Sequence, residues 1–170
     1  MIRVGKIVAT HGLQGAVIMT HIVGNSKWLK TGSVLQVEMQ KGSFIPYFVG
    51  QCKAANDEEY IINIEEVEKV ESAKKLITKH VYVNEDTLSS FAKDSPLLWI
   101  GFNLVDIQKG GIGVIDDVMQ TGKQWLGRVM IDDTEVLIPL IEQTIKQVDI
   151  KNKFIRVDLP EGLLEIYLNK

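Results

Sequence analysis

A chain of 170 residues with 45% hydrophobic and 24% charged residues has the make-up of a folded globular protein, in one domain or two small ones. Its net charge of −3 excludes a protein that wraps naked nucleic acid by charge alone, and its single cysteine, Cys52, excludes an intrachain disulfide or a Cys-only metal cluster. No stretch approaches the ~20 apolar residues of a membrane-spanning helix, so a soluble, cytoplasmic protein with no membrane partner is expected.

The first half reads as short strands punctuated by turns. Residues 2–9 and 16–23 are rich in Ile and Val and flank a loop with His11, Gln14, Gly12 and Gly15, which predicts a hairpin. Glycines at such a tip supply positive φ, and a loop displayed on rigid strands is a natural binding surface. The stretch Lys27-Trp28-Leu29-Lys30-Thr31-Gly32 reads as a turn around a buried aromatic. Leu35, Val37 and Met39 alternate with polar neighbours, the period of a half-buried strand. In the next strand, residues 44–54, Pro46 lacks a donor and predicts an edge or a bulge. Tyr60, Ile62 and Ile64 give a fifth strand. Val70, Ala73, Leu76 and Ile77 switch to helical spacing, with acids near the start and lysines near the end to suit the helix dipole. Val81-Tyr82-Val83 is a sixth strand. Six strands and one short helix are enough to close a small barrel.

Residues 85–96 show no clear periodicity and read as the connection between two units, with Leu88 and Phe91 available to pin it to a barrel. The expected boundaries are an N-terminal barrel at 1–86, a linker at 87–96 and a second β-rich domain at 97–170. In that domain strands are expected at 102–107, 112–119, 125–131, 135–139 and 154–157, with turn signals every eight to twelve residues. Ile141, Ile145 and Val148 are spaced for a short helical turn.

Charge is distributed unevenly. Up to Asn56 the cations Arg3, Lys6, Lys27, Lys30, Lys41 and Lys53 face the single acid Glu38. From Asp57 to Glu71 seven acids face only Lys69. Any RNA contact is therefore expected to be local, or shared with a basic partner protein.

Catalytic constellations are scarce. His21 and His80 read as surface or rim residues, and a Cys52/His11 dyad lacks a helix start or glycine elbow to activate the thiol. Asp116-Asp117 and Asp132-Asp133 lie in β territory, where neighbours point to opposite faces, so neither pair predicts a metal site. Gly110-Gly111-Ile112-Gly113 lacks the Lys-Ser/Thr ending and following helix of a phosphate loop. The tryptophans Trp28, Trp99 and Trp125 read either as core fillers or as surfaces for base stacking, and Trp125 has Lys123 and Arg128 close in sequence.

These residues resemble the RimM ribosome maturation factors. Val4-Gly5-Lys6-Ile7 followed by Thr10-His11-Gly12-Leu13-Gln14-Gly15-Ala16-Val17 is similar to the family's opening signature, and Ala73-Lys74-Lys75-Leu76 to its helix. Ile100-Gly101-Phe102, Glu135-Val136-Leu137-Ile138-Pro139, Val148-Asp149 and Leu159-Pro160-Glu161-Gly162-Leu163-Leu164 fit in order. The resemblance implies an all-β protein of two small barrels, a translation-factor-like N-terminal barrel and a C-terminal PRC-barrel. It implies binding to the head of the immature small ribosomal subunit (30S) and to a head protein of the S-nineteen family, with local 16S rRNA contacts. The outcome would be help in 16S rRNA folding and processing, without catalysis; separately, no cofactor is expected and the chain is expected to be a monomer. Two family features are missing. The tyrosine pair entering the second barrel is replaced by Asp94-Ser95-Pro96-Leu97-Leu98-Trp99, and Gly-Glu-Val after the loop is Gly15-Ala16-Val17. The partner surface is expected to include Lys6, His11, Gly12, Gly15, Trp99, Lys123, Trp125 and Arg128. The rival readings are a small hydrolase built on Cys52 and His11, and a PRC-type structural module of some other complex.

Overall fold

Ile and Val at alternate positions form the first hairpin, β1 (Ile2–His11) and β2 (Ala16–His21), antiparallel with His11 opposite Ala16. The computed structural model describes residues 1–23 and 28–168; Lys27, read as opening the turn into Trp28, lies outside the described residues. Further strands follow at β3 (Val34–Gln40), β4 (Ser43–Ala54), β5 (Glu59–Ile64) and β6 (His80–Val83). They close into a barrel in the order β1-β2-β5-β4-β3-β6. Closure buries the inward set that includes Val4, Ile7, Val17, Met19, Leu35, Val37, Ile62 and Val81.

Pro46 is accommodated without either an open sheet or a broken barrel. Residues Ser43 to Phe48 of β4 pair only with β3, whereas Val49 to Ala54 pair only with β5, with a register shift between Val49 and Gln51. Pro46, opposite Gln36, therefore sits where its strand has a single neighbour, and its missing N–H costs no ladder bond.

The helical period after Glu66 becomes α1 (Val70–Lys74) followed by turns, with Ala73 and Leu76 buried. The segment after β6 has more regular structure than its composition suggested. It forms α2 (Glu85–Phe91), whose Leu88 is fully buried and whose Phe91 ring stacks on Trp28 at 5.3 Å. His21 departs from the rim position expected of it. It is buried between Trp28 and Tyr60, with ring centroids 5.8 and 5.1 Å away. Neither ring nitrogen has a hydrogen-bond partner among the described residues. Burial, partly opposed by Asp57, lowers its pKa and favours the neutral ring.

The chain divides into two units, Met1–Asp94 and Ser95–Lys170. The second opens with a 3-10 turn at Pro96–Trp99, capped by the Ser95 hydroxyl, which accepts from the Leu97 N–H. Its strands are β7 (Asn103–Asp106), β8 (Gly110–Thr121), β9 (Gln124–Ile131), β10 (Thr134–Pro139), β11 (Ile145–Asp149) and β12 (Phe154–Val157), before α3 (Leu163–Leu168). The sheet order is β10-β9-β8-β7-β12-β11, with β12 parallel to β7. The spacing of Ile141, Ile145 and Val148 does make one turn, since the N–H groups of Thr144 and Ile145 both bond the Ile141 carbonyl. The turn stops there, and Ile145 starts a strand instead of continuing a helix. A register shift between Ile145 and Gln147 breaks the alternation that would have marked β11 in the sequence.

Two tight turns follow their residues closely. Asp132 and Asp133 join Ile131 to Thr134 with φ of 46° and 62°, the mirror-image turn that suits the twist of a hairpin. Asp106, the last residue of β7, is buried and accepts from the N–H groups of Gln108 and Lys109 at 2.9 and 2.8 Å, and from Leu159 at 2.9 Å. One carboxylate thus fixes the β7–β8 turn and ties it to the chain leaving β12.

Candidate functional site

The signature loop is built for shape. Gly12 and Gly15 both take positive φ, 66° and 76°, but their surroundings differ. A Cβ on Gly12 would meet nothing within 4 Å, whereas one on Gly15 would lie 2.1 Å from the Val67 carbonyl oxygen. Gly15 is buried, so its part is to seat the loop on the segment before α1. His11, Gly12, Leu13 and Gln14 are exposed, and Leu13 is 87% accessible. Lys6 lies further back on β1, opposite Thr20 on one side and His80 on the other.

Lys6 belongs to a larger outward face. Cross-strand partners share a face, and Arg3 pairs with Tyr82, Tyr82 with Gln36, and Gln36 with Pro46. Beside this row lie Glu38 paired with Phe44, and Val34 paired with Phe48. Phe44 and Tyr82 meet edge-to-face at 4.9 Å, and Phe48 is 50% exposed. Glu38 is committed locally, accepting from the Gly42 N–H and the Tyr82 hydroxyl, each at 2.9 Å. The Gly42 bond first, then the Tyr82 bond, holds its carboxyl below the ordinary range. His80 is pushed down by partial burial, then by Arg3 and Lys6, against the pull of Glu38. The β1–β6 side of the barrel is therefore electropositive. Sequence reading missed Arg3, Phe44, Phe48, Tyr82 and His80, although Phe44, Pro46 and Phe48 repeat at the strand period.

In the second unit, Lys123 is exposed in the β8–β9 turn, and Trp99 and Trp125 are half-buried. Closeness in sequence misled for Trp125 and Arg128. On β9 Trp125 alternates with the buried Gly127 and Val129, whereas Arg128 lies on the opposite face with Leu126 and the exposed Met130. The opposite-faces expectation for Asp116-Asp117 also fails. A register shift between Ile115 and Asp117 lets both reach Arg128, with Asp116 at 2.7 Å and Asp117 at 4.0 Å. Glu135 adds a third carboxylate at 3.8 Å. The hydrogen bond that Arg128 donates to the Asp116 carboxylate leads in raising the guanidinium pKa. Three carboxylates around one cation leave this face net negative.

The Cys52 thiol donates to the Leu29 carbonyl at 3.4 Å, and burial raises its pKa, the opposite of an activated nucleophile. Among the described residues no group of three or more His, Cys, Asp or Glu could hold a metal ion, and no helix is long and apolar enough to cross a membrane.

A closed six-stranded barrel and a second six-stranded β unit define a two-domain all-β protein. The first unit matches the RimM N-terminal domain over residues 2–88, and the second matches the RimM PRC barrel domain over residues 99–163. The chain belongs to the RimM family. It is 30% identical over 169 residues to the ribosome maturation factor RimM of Parabacteroides distasonis, covering 96% of this chain and 95% of that one. It is 31% identical over 168 residues to the protein of the same name from Leuconostoc citreum, covering 96% of each. A crystal structure of a 16S ribosomal RNA processing protein RimM from Pseudomonas aeruginosa is 18% identical, with a TM-score of 0.42, covering 94% of this chain and 97% of that one.

Proposed function

We propose that this chain is a cytoplasmic ribosome maturation factor that works by binding, without catalysis. It engages the head of the immature small ribosomal subunit and a head protein of the S-nineteen family, and helps 16S rRNA fold and be processed. The observation that carries this reading is the match of both RimM domains, in order, within a chain that spans nearly the whole length of its relatives. The site chemistry is compatible with it. An electropositive barrel face suits RNA, and the carboxylates around Arg128 suit a basic ribosomal protein through complementary fields. Lys6, His11 and Gly12 on the first domain, and Trp99, Lys123, Trp125 and Arg128 on the second, are proposed to line these contacts. Gly15 holds the loop beneath them, and residues 87–96 join the two domains.

Sedimentation with precursor small subunits, mature small subunits and whole ribosomes tests the reading. The protein is expected to travel with precursors and to be depleted from mature particles. Equal association with all three, or with none, would defeat the proposal.

A further inference from the structure

The outward face of β1, β6, β3 and β4 carries a pattern that the family match does not explain. Phe44 and Phe48 on β4 and Tyr82 on β6 present aromatic surface on either side of β3, with Phe44 and Tyr82 in ring contact, and Arg3, Lys6 and His80 flank them on the β1–β6 side. We infer that this face is a stacking platform for a single-stranded, unpaired segment of RNA, with Phe44 and Phe48 taking bases and Arg3, Lys6 and His80 following the phosphates. The inference deepens the proposed function and rests on it for the identity of the RNA.

Three observations point to RNA and not to an apolar protein patch. First, the apolar groups are mainly aromatic, and their neighbours Arg3 and Lys6 are cationic, with His80 beside them as an N–H donor, which is how non-specific single-strand binders combine π-faces with a charged track. Second, the one acid on the face, Glu38, spends its two oxygens on Gly42 and Tyr82, so it orients an aromatic more than it repels a phosphate. Third, the barrel is charge-polarised. The acids Asp57, Glu58, Glu59, Glu65, Glu66 and Glu68 lie on or beside β5, which barrel order separates from β6 on either side by two strands. A polyanion approaching this domain is steered away from β5 and towards β6 and β1.

The test uses the whole chain, a short labelled oligouridine and an RNA hairpin of equal length. The parent chain is expected to prefer the oligouridine. Phe48→Ala should weaken that binding about tenfold, and Phe48→Leu should not restore it, because leucine keeps apolar area but lacks a π-face. Lys6→Gln should flatten the slope of log affinity against log salt by about 0.7. Phe48 is half exposed, so its variants should keep the parent's thermal midpoint. No oligouridine binding by the parent, parental affinity in Phe48→Ala, or rescue by Phe48→Leu would each overturn the platform, the last in favour of a protein contact. The same proteins are sedimented with precursor subunits to separate the two claims. If the parent travels with precursors while Phe48→Ala keeps parental oligouridine affinity, the platform fails and the maturation reading stands. If no precursor binding occurs but oligouridine affinity follows the aromatic pattern, the platform stands and the maturation reading fails.

Discussion

Gly12 and Gly15 look equivalent in the sequence, three residues apart in one loop, yet they carry different constraints. Both adopt φ values in the left-handed region, which cost an alanine roughly 1–2 kcal/mol. Only Gly15 also faces a backbone carbonyl at a distance no Cβ can occupy. Gly12→Ala is therefore expected to lower stability by about 1 kcal/mol. Gly15→Ala should lower it by more than about 2 kcal/mol, because the loop must lift off Val67. Thermal denaturation of the two variants decides this, and equal losses would refute the seating role. The sequence revealed that both glycines bend the chain, since loop composition is a local property. It did not reveal which one is pressed against Val67, because that contact joins residues about fifty positions apart in the chain.

Elements were most legible where period two ran unbroken; β1, β3 and β4 carry register shifts yet still read as strands, whereas the short β11 does not. β5 alternates cleanly and lies where it is expected, whereas the shift in β11 disguised a strand as a helical turn. The shift in β8 similarly hid the convergence of Asp116 and Asp117 on Arg128. The β7–β8 turn hangs on a single carboxylate that nothing local in the sequence marks as buried. Burial works against the charge on Asp106, but the N–H groups of Leu159, Lys109 and Gln108 together outweigh it and hold the pKa below its ordinary 3.8. A depressed pKa means that this stabilisation is fully present above 3.8 and is lost as pH falls through the lower folded value. Asp106→Asn keeps an acceptor for the turn but turns an amide donor towards an N–H. The variant should lose about 1–3 kcal/mol at neutral pH and lack this part of the acid sensitivity. Hydrogen exchange of the β7 and β12 amides across the acid range reads both effects. Unchanged protection in the variant would show that the three bonds contribute little.

For the molecule as a whole, a net charge of −3 conceals a first domain whose two sides have opposite sign. A protein that meets a large RNA-rich particle must bind one place on it and avoid adhering to the rest. Uniformly basic surfaces fail at the second task, because phosphate attraction is independent of sequence and dominates non-specific binding. On the proposed reading, the acids around β5 supply the missing repulsion, by restricting the orientations in which the barrel can approach RNA. Neutralising Glu58 and Glu68, which are exposed and lie just before and after β5, tests this without touching the electropositive face. The double variant Glu58→Gln/Glu68→Gln should bind bulk duplex RNA more tightly than the parent, by several-fold at low salt, while its affinity for precursor subunits changes little. Its preference for precursors over other RNA should consequently fall, and the difference should fade as salt screens exposed charges beyond about 8–10 Å. If duplex binding does not rise, the β5 acids are solvated charges that keep the chain in solution, and selectivity must come from contacts alone.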